Sequence, residues 1–273
     1  MGRYILSFDI EEAQHSNIEQ ATIFPKQNIE ENIKAVLHYL EKHSIKAVFF
    51  VVGETAVRYP KAICMIAERG HEIAAHGMTH RLVYQMTEKE FRFDVRECKK
   101  TLEGISGVHV RGYRAPSWSL HTKKTPWAWR ILHEEGYAYS SSVMPFQTFL
   151  YGENNFPHAR IRISLGGIWP EEILARQYDK DSFIEIPVST TSLFGKKIPF
   201  SGGFYFRLFP WWFIVLAART VPAPIFYFHL RDIADEIVPH GISWKAYLIQ
   251  YARRQSGKKK FLKLLSQISR ARL

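Results

Sequence analysis

The sequence predicts an α/β fold in which parallel strands alternate with helices and curl into a single barrel. Three observations point there. Short runs rich in β-branched and aromatic residues alternate with stretches of helical period, the order expected of βαβ units. One run, Ala47-Val48-Phe49-Phe50-Val51-Val52, is apolar throughout, as a strand covered on both faces must be. About seven such units fit in 273 residues, a normal length for one barrel.

Tyr4–Phe8 reads as the first strand and runs into the acids Asp9, Glu11 and Glu12. Asn28–His43 carries Ile29, Ile33, Val36, Leu37 and Leu40 near helical spacing. The Ala47–Val52 strand follows, then a helix over Glu54–Arg69 that Gly70 stops. Glu72–Ala75 is the next strand and delivers His76. Thr87 opens a helix through Leu102, with Glu90 completing a capping box. Val108–Tyr113 is strand, Lys124–Glu135 helix, and Tyr137–Val143, Phe183–Val188 and Ile225–Phe228 are further strands. Residues 145–182 lack clear periodicity and read as a loop-rich insertion; residues 240–273 read as a basic helical segment. The whole of 1–273 is expected to be one domain.

Hydrophobic residues at 46% and charged residues at 23% permit a large core and argue against disorder. The net charge of +11 favours an anionic partner. Much of it belongs to the tail, where Arg253, Arg254, Lys258, Lys259, Lys260, Lys263, Arg270 and Arg272 crowd together. No nucleic-acid motif accompanies the charge, so a nucleic acid is not the expected partner. The tail reads as a helix closing the barrel or as a peripheral contact with an anionic membrane. Cys64 and Cys98 are isolated and imply buried thiols, not a disulfide framework. The N-terminus enters a strand without an apolar leader, and Arg219, Pro222 and Pro224 interrupt the apolar stretch Leu208–Leu230. A cytoplasmic protein is expected, with a peripheral position at the inner membrane face as the alternative.

Chemistry concentrates where strands end, because barrel loops converge on one mouth. The first strand ends in Asp9, Glu11 and Glu12, and the third in His76-Gly77-Met78-Thr79-His80. Arg114-Ala115-Pro116-Ser117-Trp118 follows the fourth, and His229 the last. Two neutral imidazoles four residues apart can reach one divalent ion, leaving room for a carboxylate and a water. Strand alternation points Asp9 and Glu11 to one side and Ile10 to the other. With a second carboxylate, an arginine and a third histidine, these are the parts for metal-assisted hydrolysis.

The runs F-D-I-E-E, H-G-M-T-H-R, R-G-Y-R-A-P-S-W and F-Y-F-H-L, in that order from about Leu6 to Asp232, resemble the polysaccharide deacetylases of the NodB-homology type. R-L-V-Y, F-P-H and G-G-F-Y-F-R-L-F-P resemble a branch associated with bacterial exopolysaccharide assembly. The resemblance implies a distorted (β/α)₇ barrel that removes N-acetyl groups from glycans. It implies Asp9 as general base, Arg114 as its partner, and His229 as general acid. His76 and His80 would hold a divalent metal, Zn²⁺ foremost, with Co²⁺, Ni²⁺ or Mn²⁺ also suited to such ligands. Most of the family has Asp where this chain has Ile10, so Glu11 is the expected third ligand and Glu12 the alternative. Ser117 would supply an oxyanion-hole N–H. Trp118 would wall the sugar groove, and Arg207 would meet a substrate anion or form a structural ion pair. Relatives often carry Asp where Ser140 stands, so a serine, or else Asp232, is expected to orient His229. The same parts admit hydrolysis of another amide, or glycan binding without turnover.

Overall fold

The computed structural model describes residues 4–18, 24, 28–148, 151–157, 161–163, 170–172, 183–234 and 236–270. In chain order the strands are β1 (Ile5–Ile10), β2 (Val48–Val51), β3 (Glu72–Ala75), β4 (Gly112–Tyr113), β5 (Tyr139–Ser140), β6 (Ile161–Ile163), β7 (Pro170–Glu172), β8 (Phe183–Glu185), β9 (Thr190–Leu193), β10 (Lys196–Pro199) and β11 (Ile225–His229). The helices are α1 (Ile29–Lys42), α2 (Gly53–Arg58), α3 (Pro60–Glu68), α4 (Glu88–Ser106), α5 (Ala128–Glu134), α6 (Gly203–Leu208), α7 (Trp211–Arg219), α8 (Leu230–Ile233), α9 (Trp244–Gln250) and α10 (Arg254–Arg270).

One sheet runs in the order β11-β1-β2-β3-β4-β5-β8-β6-β7. The pairings from β11 through to β8 are all parallel, and β6 and β7 extend the sheet antiparallel. The result is an α/β half-barrel whose seven parallel strands match the expected number. The chain leaving β8 comes alongside β11: Ile225 N donates to Ser189 Oγ at 2.8 Å and Tyr227 N to Ser201 O at 3.0 Å. Side-chain and loop bonds thus stand in for a strand pairing there.

The expected elements are present, but β4, β5 and β8 are shorter than the expected 108–113, 137–143 and 183–188. The expected Glu54–Arg69 helix is two helices, because Pro60 lacks an N–H and bars helical geometry at Tyr59, whose φ is −128°. Thr87 and Glu90 form both halves of the capping box that starts α4. The insertion over 145–182 is described only in pieces, which include β6 and β7. Of F-P-H, His158 lies outside the described residues. The tail packs into the core through α10. Its Phe261 ring lies 5.1 Å from that of Phe228 and 6.0 Å from that of Phe8. Lys260 reaches back to the carbonyls of Phe206, Arg207 and Phe209, closing the C-terminal end of α6. Both cysteines are free thiols.

The register fixes the site. Asp9 pairs with His229 on one side and Phe50 on the other, and Val51 with Ala75. The carboxyl ends of β11, β1, β2 and β3 therefore stand level, and the loops leaving them share one rim.

Candidate active site

His76 is the first residue beyond β3, and the loop it begins is tightly fixed. Gly77 adopts φ +76° and His80 φ +58°, the left-handed region that folds the loop back. Asp94 on α4 accepts the Met78 N–H at 3.0 Å and sits 3.5 Å from Thr79 Oγ1. His76 Nδ1 lies 2.8 Å from the Arg114 carbonyl, so Nδ1 carries the proton and Nε2 keeps its lone pair. Burial pushes the His76 pKa down to about 4, which keeps the ring neutral. The Asn17 amide lies 3.2 Å from His80 Nδ1 and 3.2 Å from Ser117 Oγ, tying the ring to the opposite wall.

Glu11 completes a cluster with both rings. Its Oε2 lies 2.7 Å from His80 Nε2 and 3.8 Å from His76 Nε2, and one donor atom from each residue falls within 4.8 Å of the others. Burial works against the Glu11 charge, but His80, Arg231 and His229 outweigh it and hold the carboxyl well below its usual range. Two imidazole nitrogens and a buried carboxylate are a donor set that suits a divalent transition metal. Glu12 points elsewhere, to Arg58 Nη1 at 2.5 Å and the Tyr59 hydroxyl at 3.3 Å.

Asp9 is buried beside this cluster, and Arg114 Nη1 donates to its Oδ1 at 2.6 Å. The guanidinium is held on its other edge by the Ser141 carbonyl and hydroxyl, each at 3.2 Å. It lies 3.9 Å from the Phe50 ring and 4.6 Å from Trp118. His229 Nε2 stands 3.9 Å from Asp9 Oδ2 and 3.6 Å from Glu11 Oε1.

His229 is also the N-cap of α8, which brings Asp232 back onto it. Asp232 Oδ2 accepts the His229 N–H at 2.9 Å and lies 3.3 Å from Nδ1. Burial and Arg231 oppose the imidazolium. The hydrogen bond to Asp232 and the charges of Glu11 and Asp232 prevail, so the His229 pKa is raised. Asp232 itself resists burial because Arg207 and His229 hold its pKa below the usual range.

Here one expectation is corrected and one narrowed. Ser140 does not serve His229: its hydroxyl donates to Ser142 Oγ at 2.6 Å, within the β5 edge. Asp232 holds the imidazole instead, with a full charge that a serine lacks. Arg207 lines the cavity; Nη1 pairs with Asp232 and Nη2 donates to the Ile249 carbonyl, while Nε is buried without a hydrogen-bond partner among the described residues. Of the two roles expected of Arg207, the structure shows the structural ion pair.

All these groups converge on a cavity of about 100 Å³ lined by Asp9, Glu11, His76, His80, Ser117, Trp118 and His229. Ser117 and Trp118 both have positive φ, +48° and +52°, a strained turn presenting the backbone to the cavity. Trp118 packs against Met144, Val188 and Tyr227 while one edge lines the cavity. The sequence did not single out Asn17, Tyr227 or Arg231. Arg231 pairs with Glu11 and is buried; its place between His229 and Asp232 was the available signal.

Residues 6–139 match the family described as polysaccharide deacetylase. That stretch contains Asp9, Glu11, His76, His80 and Arg114, the groups gathered at the cavity. Residues 141–273 match a domain of unknown function, DUF3473. The chain is 25% identical over 192 residues to a peptidoglycan deacetylase of Helicobacter pylori, covering 64% of this chain and 60% of that one. It is 29% identical over 93 residues to a peptidoglycan-N-acetylglucosamine deacetylase of Bacillus cereus, 34% of each. It is 34% identical over 88 residues to a chitooligosaccharide deacetylase of Azorhizobium caulinodans, 31% of this chain and 42% of that one. The matched parts thus span a third to three fifths of these deacetylases. The fold is similar to that of a Mycobacterium smegmatis protein described as a polysaccharide deacetylase (TM-score 0.59, 20% identity, 99% and 91% of the two chains). It is also similar to a family 4 carbohydrate esterase from Streptomyces lividans (TM-score 0.51, 12% identity, 98% and 90%). A family 4 pseudoenzyme from Bacillus anthracis shares the polysaccharide deacetylase fold (TM-score 0.51, 13% identity, 97% and 61%), so fold alone does not decide turnover.

Proposed function

We propose that this protein is a metal-dependent N-deacetylase of N-acetylhexosamine residues in a bacterial exopolysaccharide or its lipid-linked precursor, working at the cytoplasmic face of the membrane. The observation that carries the reading is the convergence of the Glu11–His76–His80 cluster with the Asp9–Arg114 and His229–Asp232 pairs on one cavity. The names of the deacetylase relatives support the reaction class, and the G-G-F-Y-F-R-L-F-P run supports the exopolysaccharide setting. No helix among the described residues is long and apolar enough to cross a membrane.

Glu11, His76 and His80 would hold the ion, Zn²⁺ foremost, which supplies Lewis acidity toward water and the acetamide carbonyl. Asp9, fixed by Arg114, takes the proton as water adds to that carbonyl. The Ser117 N–H receives the developing oxyanion. His229, whose protonated form Asp232 favours, gives its proton to the departing nitrogen as the C–N bond breaks. Acetate and a free amine are the products.

The test is acetate release from N-acetylglucosamine oligomers by metal-free protein and by protein with Zn²⁺ or Co²⁺, beside Asp9→Asn and His76→Ala. Metal-dependent acetate, lost in both variants, is expected. Metal binding without acetate from any N-acetylated glycan would overturn the reading.

A further inference from the structure

A second concavity, of about 500 Å³, adjoins the active-site cavity and shares Phe204, Arg207 and Ile249 with it. It lies between α6 and α9. Phe204 and Leu208 are one turn apart on α6, and Trp244 and Leu248 one turn apart on α9, so each helix offers an apolar pair. Ile249 and Ala252 complete the apolar wall. Leu208 is 40% exposed, Leu248 43% and Trp244 68%, an unusual cost for three large apolar side chains on adjacent helices. The charged side chains among the described lining residues are Arg207, Lys245 and Arg253, all cationic. Arg253 spends one nitrogen on the Leu208 carbonyl at 3.2 Å, which stations it at the rim.

An apolar trough with cations at its edge and no acid among its described lining residues fits an amphiphile with an anionic head. Its volume lies within the roughly 300–1,000 Å³ of small-molecule sites. We propose that this groove receives the hydrocarbon chain of a lipid-linked glycan whose sugar is joined through phosphate. Lys245 and Arg253 meet the phosphate, and the sugar enters the neighbouring cavity. A concave trough favours a single chain over a bilayer surface, which would call for a protruding apolar face. The part concerning the sugar rests on the deacetylase reading; the part concerning the chain does not.

The experiment is calorimetric titration of the metal-free full chain with dodecyl phosphate below its micelle concentration, beside octyl phosphate and inorganic phosphate. One saturable site is expected. Each methylene buried is worth roughly fourfold in affinity, so dodecyl phosphate should bind at least roughly tenfold tighter than octyl phosphate. Leu248→Asp and Trp244→Ala, both at exposed positions, should each weaken dodecyl phosphate by roughly tenfold. Lys245→Ser combined with Arg253→Ser should remove the preference for the phosphate over dodecanol. Equal binding of inorganic phosphate, or affinity unchanged in Leu248→Asp, overturns the proposal. So does binding to vesicles of anionic phospholipid with none to the monomeric amphiphile. In the metal-loaded protein, a dodecyl N-acetylglucosaminide should be turned over with higher kcat/KM than the methyl glycoside, and Leu248→Asp should erase the difference. Chain binding in the groove with neither glycoside turned over supports the groove and sinks the deacetylase reading.

Discussion

Glu11 and Glu12 are adjacent carboxylates, and the geometry assigns them opposite fates that a pair of substitutions can separate. Glu11 Oε2 is 2.7 Å from His80 Nε2, inside the His76–His80 cluster, whereas Glu12 is committed to Arg58 and Tyr59. Losing a group that merely orients a metal ligand costs about 10–100-fold in affinity, so losing the ligand itself sets a floor near a hundredfold, or about 2.7 kcal/mol. Glu11→Gln should weaken Co²⁺ or Zn²⁺ by at least that much. It should also lower stability by about 3 kcal/mol without metal, because Arg231 is buried against the lost charge. Glu12→Gln breaks a pair whose Arg58 side chain is 46% exposed, so its cost should stay below about 1 kcal/mol. Its metal affinity should remain within roughly twofold of the parent, well inside the second-sphere range. Competition with a chromophoric chelator gives the affinities, the Co²⁺ visible spectrum reports the ligand field, and urea unfolding gives the stabilities. Metal loss in Glu12→Gln, with retention in Glu11→Gln, would refute the assignment.

Three further outcomes follow from the same geometry. Asp232→Asn removes the charge that raises the His229 pKa, so the protonated acid is lost at lower pH and the alkaline limb of kcat/KM moves down. An alkaline limb that stays in place would exclude this role. Gly77→Ala forces a Cβ into φ +76° and to 3.2 Å from Asp94 Oδ2. A loss of about 1–2 kcal/mol in urea unfolding is expected, with weaker metal binding, and an unaltered protein would show that the loop is not held as described. His71, whose Nδ1 accepts the Ala47 N–H, has its pKa pushed to about 4 by burial and by Lys46 and Arg69. The unfolded chain therefore protonates first, and stability should fall as pH drops from about 6.5 to 4. The full shift converts to about 3 kcal/mol, and screening of the exposed Lys46 and Arg69 trims it to about 2. His71→Gln should flatten that slope in urea titrations at pH 7 and 4.5, and an equal slope would remove His71 as its source.

What the sequence made legible is what depends on short range. Alternation along β1 separated Glu11 from Ile10, and the apolar run over 47–52 announced a strand buried on both faces. Glu72–Ala75 reads as a strand delivering His76, and β3 has these bounds. What stayed hidden depends on partners far along the chain or on elements too short to show a period. Arg58 and Tyr59, 46 and 47 residues away, reveal that Glu12 is occupied. α8 has four residues, so the i, i+3 relation of His229 to Asp232 could be noticed but not shown to be helical. The β9–β10 hairpin turns on Phe194 and Gly195, both at positive φ, and a phenylalanine is not a residue that announces such a turn. Pro210 splits the apolar stretch after Gly203 into α6 and α7, leaving each too brief for a periodic signature.

The two family matches stop on either side of Ser140, and the site is built across that boundary. Asp9, Glu11, His76, His80 and Arg114 come from the first segment. His229, Asp232, Arg207 and Arg231 come from the second, together with Ser141, which holds the far edge of the Arg114 guanidinium. The sheet crosses the boundary in the same way, since β11 pairs with β1 and β8 with β5. Phe261 of α10 packs its ring 6.0 Å from that of Phe8, which lies three residues before Glu11 on the chain. The buried pair of Glu11 with Arg231 ties the cluster directly to the second segment, and removing either member strands the other charge in the core. The segment of unknown function therefore supplies half of the candidate active site, and its α6 and α9 also form the apolar groove beside it.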